Sequence, residues 1–465
     1  MYETVIGLEV HVELLTSRKI FCSCSNSFGD GINTNCCEIC TGLPGAVPVF
    51  NEECLEPAIK AGLVLGCRIN EVTRFDRKNY FYPDLPKGYQ ISQLYVPLAV
   101  DGSVELKGRT VRIREIHMED DAAKLMYEDG KTIVDYNRCG VPLAEIVTMP
   151  DLTCAEEVVE FLEIIRKDLR AAGVTDGKLE QGSMRVDVNL SVRKPGDPLG
   201  TRTEIKNLSS FKAVSKAIEQ ERNRQIGLIE QGLPVMQQTL GFNEQTYEIS
   251  VKRTKENSND YKYFPDPDIP PITVSREMVE AFRRKIPELP SVREKRLVSE
   301  YGLRPEDSAT LVRSCDLADL FEASSKISRL PAVTLNLILS SIPSEGRLPS
   351  PEDLAFVAGL ADSGKISSGM AKTVLHETTV NGTDPRRYVE EQGFMMITDE
   401  DQIRSAVLKV LEDPSNGKAV EDLRNGKDKV LGYLLGKVMR ELKGRADPVL
   451  ARKVLCDNVL QKSDE

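Results

Sequence analysis

The sequence predicts an α+β protein: an open-sheet cradle domain with flanking helices, then an all-helical domain, then a small helical tail domain. Three observations predict it. Strand-type alternation of apolar and polar residues is confined to the first 290 residues, and amphipathic helices interrupt it there. Beyond a proline-rich stretch only helical periods remain. Strands with one polar and one apolar face, backed by helices, make an open sheet. The boundaries fall at 1–290, 291–395 and 396–465, with no internal repeat.

Thr4 to Leu14 alternates cleanly, with Ile6, Leu8, Val10, Val12 and Leu14 on one face and Glu9, His11 and Glu13 on the other. Ile113 to Asp121 sets Glu115, His117 and Glu119 on one face. Thr153-Cys154-Ala155-Glu156 has the form of a capping box, and Val158, Phe161, Leu162, Ile165 and Leu169 follow at helical spacing before Gly173. Met184 to Arg193 alternates again, and the turn Lys194–Pro198 leads to a short strand, Thr201 to Lys206, as a hairpin. A second helix runs from about Ser210 to Gln231 and stops at Gly232. The segment Tyr263–Pro271 and the pair Pro287/Pro290 close the domain. From Ser291 to Gly393 the pattern is helical, broken at Pro331, Pro343, Pro349-Ser350-Pro351 and Gly382. More helix follows Ile397-Thr398-Asp399, including the basic stretch Lys427 to Lys443.

Composition excludes several classes. With 40% hydrophobic and 29% charged residues the chain is of the globular type. No apolar run approaches the roughly 20 residues of a membrane span. Met1 to Thr4 has neither a basic nor an apolar region, so no signal peptide is expected and the cytosol is the expected location. A net charge of −11 disfavours indiscriminate nucleic-acid binding. Arg424 to Lys453 reverses the balance locally, with nine Lys/Arg against three Asp/Glu.

Five of the eleven cysteines fall between Cys22 and Cys40. In a reducing compartment such a cluster reads as a metal site before it reads as disulfides. Cys22, Cys24, Cys37 and Cys40 offer four thiolates in two tight pairs, which suits a closed, structural zinc site. Cys36 in place of Cys37, or a metal-free loop, stays open on sequence alone. The other six cysteines are expected to be small apolar fillers.

The polar strand faces bear on catalysis. Glu9, His11 and Glu13 stand about 6.6 Å apart in turn, from strand rise. If these faces meet, carboxylates and histidine suit magnesium while Arg and Lys engage phosphates. An ordinary solvated sheet face is the alternative, though two of the three histidines lie in these segments. Neither a phosphate-binding Gly-x-x-x-x-Gly-Lys-[Ser/Thr] loop nor a Gly-x-Gly-x-x-Gly turn is present; Gly130-Lys131-Thr132 lacks the upstream glycine. Arg77 to Tyr89 offers Arg77, Lys78 and Lys87 with Tyr80, Phe81, Tyr82 and Tyr89, for phosphate and base or as an aromatic core segment.

Val5–Leu14, Asn33-Thr34-Asn35, Arg77–Gln90, Gly200–Leu208 and Asp260–Pro265 resemble, in order, hallmark segments of the B-subunit family of tRNA-dependent amidotransferases. The resemblance spans essentially the whole chain, more loosely in the helical modules. It implies phosphorylation by ATP, with magnesium, of the side-chain carboxylate of Glu-tRNA(Gln) or Asp-tRNA(Asn), followed by amidation with ammonia from glutamine. Glu9, His11, Glu119 and Asp187 are then the catalytic and magnesium candidates. Lys78, Lys87, Arg202 and Lys206 are the candidates for ATP or carboxylate contacts. No Gly-Gly-Ser-Ser-Gly amidase signature is present. The resemblance therefore implies partners: the family's glutaminase (amidase) A subunit and its small C subunit, in a heterotrimer. The tail of the family grips tRNA. A non-catalytic, zinc-stabilised RNA-binding module is the competing class, disfavoured by carboxylates that repel phosphate unless a metal intervenes. Two departures stand out: Asp120 where the family usually has glutamate, and Asn259 where it usually has histidine.

Overall fold

A computed structural model of the chain describes residues 2–254, 261–343, 347–395, 397, 399–424, 428–442 and 444–460. Nine strands form one sheet: β1 (Glu3–Glu13), β2 (Arg68–Ile69), β3 (Ala99–Leu106), β4 (Arg109–Asp120), β5 (Pro142–Thr148), β6 (Met184–Arg193), β7 (Thr203–Leu208), β8 (Gln238–Asn243) and β9 (Glu248–Thr254). Their spatial order is β9-β8-β7-β6-β1-β5-β4-β3-β2. Neighbours are antiparallel except for the parallel pair β7 and β8. The strand read first from the sequence is thus the middle of the sheet.

The period of two along β1 explains its place. Ile6, Val10, Val12 and Leu14 are fully buried and Leu8 is 1% exposed, so one face of β1 is core. Helices α2 (Ala155–Ala171) and α3 (Phe211–Glu230) close that core, with Val158, Phe161, Leu162, Ile165 and Leu169 in the same cluster as β1. α1 (Leu55–Val64) joins it through Leu55, Ala58 and Ile59. α3 starts as its sequence suggests: Ser210 caps it, accepting from the Ala213 N–H. α2 starts one residue off the expected capping box. Its N-cap is Cys154, and Thr153 is held through both its N–H and its hydroxyl by Glu157 rather than by Glu156.

The chain divides into two compact units, 1–292 and 293–465. The second unit is built from helices around two separate apolar clusters. One contains Leu297, Phe321, Leu354 and Val374, and the other Ile403, Val407, Leu434 and Leu455. Pro331 and Pro351 begin helices Pro331–Ser341 and Pro351–Asp362, where a missing N–H costs nothing. Gly382 ends Ser368–Asn381 in the left-handed conformation. Among the described residues no helix is long and apolar enough to cross a membrane.

Leu8 lies on the middle strand with both flanks paired. Leu8→Ala should lower the unfolding free energy of the sheet unit by about 2–5 kcal/mol. Denaturant titration followed by far-UV circular dichroism checks this; an unchanged midpoint would show that the centre of the sheet is not where its stability resides.

Candidate active site

Register decides which side chains meet on the other face of the sheet. β1 pairs His11 with Glu145 of β5, and β5 pairs Glu145 with His117 of β4. Glu145 Oε2 lies 2.8 Å from His117 Nε2 and 3.5 Å from His11 Nε2. Glu119 reaches the same spot from β4, with Oε1 at 3.3 Å from His11 Nε2. His11, Glu119 and Glu145 therefore present one ligand atom each within 4.8 Å of one another.

A second acidic group forms beside the first. β1 pairs Glu9 with Asp187 of β6, and β7 brings Glu204 alongside, so that Glu9, Asp187 and Glu204 also converge within 4.8 Å. The β6–β7 register shifts between Val186 and Val188, a bulge opposite Asp187. Such bulges re-aim side chains, and here Lys206 Nζ stands 2.7 Å from Asp187 and 3.0 Å from Glu204. Asn189 donates to Glu9 at 3.0 Å, and the Thr239 hydroxyl to Glu204 at 3.0 Å. Both groups line one cavity of about 930 Å³, together with Lys78, Arg185 and Arg202.

Like charges packed on a half-buried face shift one another's protonation. Burial alone would lower the His11 pKa, but Glu145 and Glu119 more than offset it and raise it to about 10. Burial works against the His117 imidazolium as well, but Glu145, Glu119 and Glu115 together raise its pKa. Burial pushes Glu145 up, yet the two histidines hold it well below the usual carboxylate range. Glu9 is raised by burial and by Glu145 against the pull of Lys206. Burial works against the Lys206 ammonium, but Asp187 and Glu204 keep its pKa above that of an ordinary lysine. The solvated-face alternative does not describe this surface, because Glu119 is 3% and His117 9% exposed. The His117 Nδ1 is buried without a hydrogen-bond partner.

The structure sorts the residues nominated from sequence. Glu9, His11, Glu119 and Asp187 come together, split between the two acidic groups. Lys78, Arg202 and Lys206 line the cavity, with Lys78 Nζ over the Tyr261 ring at 5.3 Å. Lys87 is elsewhere: it is buried in an ion pair with Asp120. Asp120 also accepts from the Ile91 N–H at 2.8 Å. Arg77 is held by Asp266 at 2.8 Å and Asp268 at 2.6 Å, over the Tyr89 ring. Asn259 lies outside the described residues. Sequence reasoning missed Glu145 and Glu204. Glu145 had a signal, as the one charged side chain in the apolar strand Pro142–Thr148.

Cys22, Cys24, Cys37 and Cys40 bring their sulfurs within 4.8 Å of one another, a set able to bind a metal ion. The Cys36 sulfur turns instead to the Asn33 carbonyl at 3.2 Å. The hydrogen bond from Cys22, with the Cys37 backbone N–H and Lys19, holds the Cys40 thiol down at about 5 despite its burial. Burial pushes Cys24 up to about 12. Lys19 is itself fully buried, its Nζ 3.7 Å from the Cys40 sulfur and 2.7 Å from the Asn35 carbonyl.

Residues 4–280 match the family model described as GatB/GatE catalytic domain, and residues 324–459 the model described as GatB domain. The chain is 44% identical over 471 residues to the B subunit of the aspartyl/glutamyl-tRNA(Asn/Gln) amidotransferase of Lachnoclostridium phytofermentans, covering 98% of each chain. It is 45% identical over 472 residues to the protein of that name from Agathobacter rectalis, covering 98% of this chain and 99% of the relative. The counterpart from Caldicellulosiruptor saccharolyticus is 46% identical over 473 residues, with 98% of each covered.

The Lys87–Asp120 pair makes a stability test of the site's footing. Lys87→Met strands a buried carboxylate and should cost about 3–5 kcal/mol in denaturant unfolding, whereas Lys87→Met with Asp120→Leu should recover most of it. A loss below about 1 kcal/mol, the value of an exposed pair, would mean that Lys87 is no strut.

Proposed function

The chain belongs to the family of aspartyl/glutamyl-tRNA(Asn/Gln) amidotransferase B subunits, and from that premise we propose that it is the kinase and transamidase component of such a complex. It phosphorylates the side-chain carboxylate of glutamate or aspartate mischarged on tRNA(Gln) or tRNA(Asn), at the expense of ATP. A carboxylate oxygen attacks the γ-phosphorus and the bond to ADP breaks. Ammonia then attacks the acyl carbon, inorganic phosphate leaves, and a proton is lost as the amide forms.

The observation that carries this reading is the pair of acidic groups at one cavity, Glu9/Asp187/Glu204 beside His11/Glu119/Glu145, set among Lys78, Arg202 and Lys206. Phosphoryl transfer asks for positioning and charge neutralisation more than for a covalent nucleophile. The donor set is oxygen-rich with one imidazole, which fits magnesium. Magnesium, when bound by these residues, supplies the positive charge that a triphosphate and a second carboxylate need in order to approach each other. Lys206 and Lys78 contribute fixed positive charge, and Arg202, at the exposed rim, receives anionic groups entering the cavity.

The four-cysteine set is a structural zinc knuckle in this reading, because four protein ligands leave no position for substrate. Buried Lys19 beside Cys40 offsets part of the thiolate charge. The ammonia source is a partner amidase, the A subunit of a heterotrimer whose third member is a small C subunit. The tail, 396–465, contacts the tRNA body. Lys429, Arg440, Arg452 and Lys453 are exposed there, and Lys437 stands over the Tyr433 ring at 5.5 Å. Lys427 and Lys443 lie outside the described residues.

In the assembled complex, Glu119→Gln, Glu145→Gln and Asp187→Asn should each abolish tRNA-dependent ATP hydrolysis and amidation, while the partner goes on hydrolysing glutamine. Amidation at the unsubstituted rate with Glu145→Gln would sink the assignment. Elemental analysis should find about one zinc per chain, and its removal by a chelator should unfold the sheet unit. A metal-free preparation with an unchanged melting temperature would rule out the knuckle.

A further inference from the structure

On the reverse side of the sheet, behind Glu204, lies a polar cluster that the proposed function does not use. Thr203 of β7 and Glu221 and Gln225 of α3 are all fully buried. The Thr203 hydroxyl donates to Glu221 Oε1 at 2.8 Å. Gln225 Nε2, about one turn further along α3, lies 2.9 Å from the Thr203 hydroxyl and 2.8 Å from the same Glu221 oxygen. It also stands 3.3 Å from the Leu190 carbonyl of β6. Half-buried Arg224 closes the cluster, with Nε 2.7 Å from Glu221 Oε2 and Nη2 2.8 Å from Oε1.

A carboxylate is costly to bury, and apolar side chains would fill the space between sheet and helix without that cost. What a satisfied hydrogen-bond network adds is a unique geometry. Strand β7 has a use for one. Its ladder with β6 shifts register between Val186 and Val188. Apolar burial fixes which face of a strand points inward, whereas a small slide along the strand leaves that face buried. Hydrogen bonds of defined length oppose such a slide. Here they tie Leu190 and Thr203, which stand opposite each other across β6 and β7, to one turn of α3.

Strand faces alternate, so the residue after Thr203 points the other way. Glu204 and Lys206 line the large cavity, while Thr203 and Ile205 are in the interior. The position of β7 along its axis therefore sets where Glu204 meets Glu9 and Asp187, and where Lys206 meets Asp187 and Glu204.

We propose that Thr203, Glu221 and Gln225 are positioning residues for the cation site: from behind the sheet they hold β7 where Glu204 completes the group with Glu9 and Asp187. The proposal rests on the function argued above, which assigns magnesium to the acidic groups.

The test is Thr203→Val in the full complex, with Thr203→Ser beside it. Valine keeps the shape and removes the hydroxyl, and serine restores the hydroxyl. Glu221 keeps Arg224 and Gln225 in both, so the complex should melt within a few degrees of the unsubstituted one. With Thr203→Val, the free magnesium needed for half-maximal tRNA-dependent ATP hydrolysis should rise about 10- to 100-fold, the usual scale for residues that orient metal ligands. KM for aminoacyl-tRNA should stay unchanged, and Thr203→Ser should recover most of the loss. Gln225→Met cuts the same ties from the helix side and should move the magnesium dependence in the same direction, so that it decides the matter should Thr203→Val not fold. A lowered melting temperature with unaltered magnesium dependence in these variants would show a cluster that only stabilises, and would overturn the proposal. So would an equal rise in Thr203→Val and Thr203→Ser. Glu204→Gln, measured in parallel, reports on the function beneath: an unsubstituted rate and magnesium dependence there would overturn the cation site itself.

Discussion

Repulsion among carboxylates is the constraint on which this molecule is organised. Glu9, Glu119, Glu145, Asp187 and Glu204 gather on one sheet face, within reach of one another and mostly shielded from water. Like charges at cross-strand distance destabilise a sheet, and burial sharpens the penalty. The structure meets it with cations in fixed places. His11 and His117 flank Glu145, and Lys206 bridges Asp187 and Glu204. These three side chains offset only part of the charge of the five carboxylates.

Such a face persists only if stability comes from elsewhere. The reverse of the same strands supplies it, where the apolar residues of β1 pack under α2 and α3. Local struts then fix the ends of the acidic strands. Arg138 and Arg185 hold Asp121, and Lys87 holds Asp120, next along the chain from Glu119. The cysteine loop braces that strut from behind. Gly42 has φ +68, and a Cβ there would come within 2.9 Å of the backbone nitrogen of Lys87. Only glycine fits both the turn and the close approach.

Much of this was legible in the sequence because two periods are easy to read. Alternation in Thr4–Leu14 and Met184–Arg193 identified both faces of the central strands, and the helix over 155–171 followed from its apolar spacing. The polar faces alone left a solvated surface open, and it was the family resemblance that nominated Glu9, His11, Glu119 and Asp187 together. Glu145 and Glu204 escaped because partnership across strands depends on register, which no single strand encodes. Lys87 shows the opposite error. Its neighbours Tyr80, Phe81 and Tyr82 look like a ligand-binding segment, but the chain folds its ammonium inward to neutralise Asp120. A lysine's sequence context reveals its charge and not the direction in which a flexible side chain turns.

The central claim of the proposed function is that the His11/Glu119/Glu145 group can hold a cation, which would displace the proton that Glu145 and Glu119 favour on His11. His11, held at about 10, is imidazolium at neutral pH. A metal ion requires the neutral ring. Calorimetric titration of the complex with manganese, a stand-in for magnesium, at pH 7.5 in buffers of different ionisation enthalpy measures the protons released. About one proton should leave per ion bound at this group, and apparent affinity should rise with pH until it levels off near pH 10. Glu145→Gln should remove both the ion and the proton. Saturable binding with no proton release and no pH dependence would contradict the account.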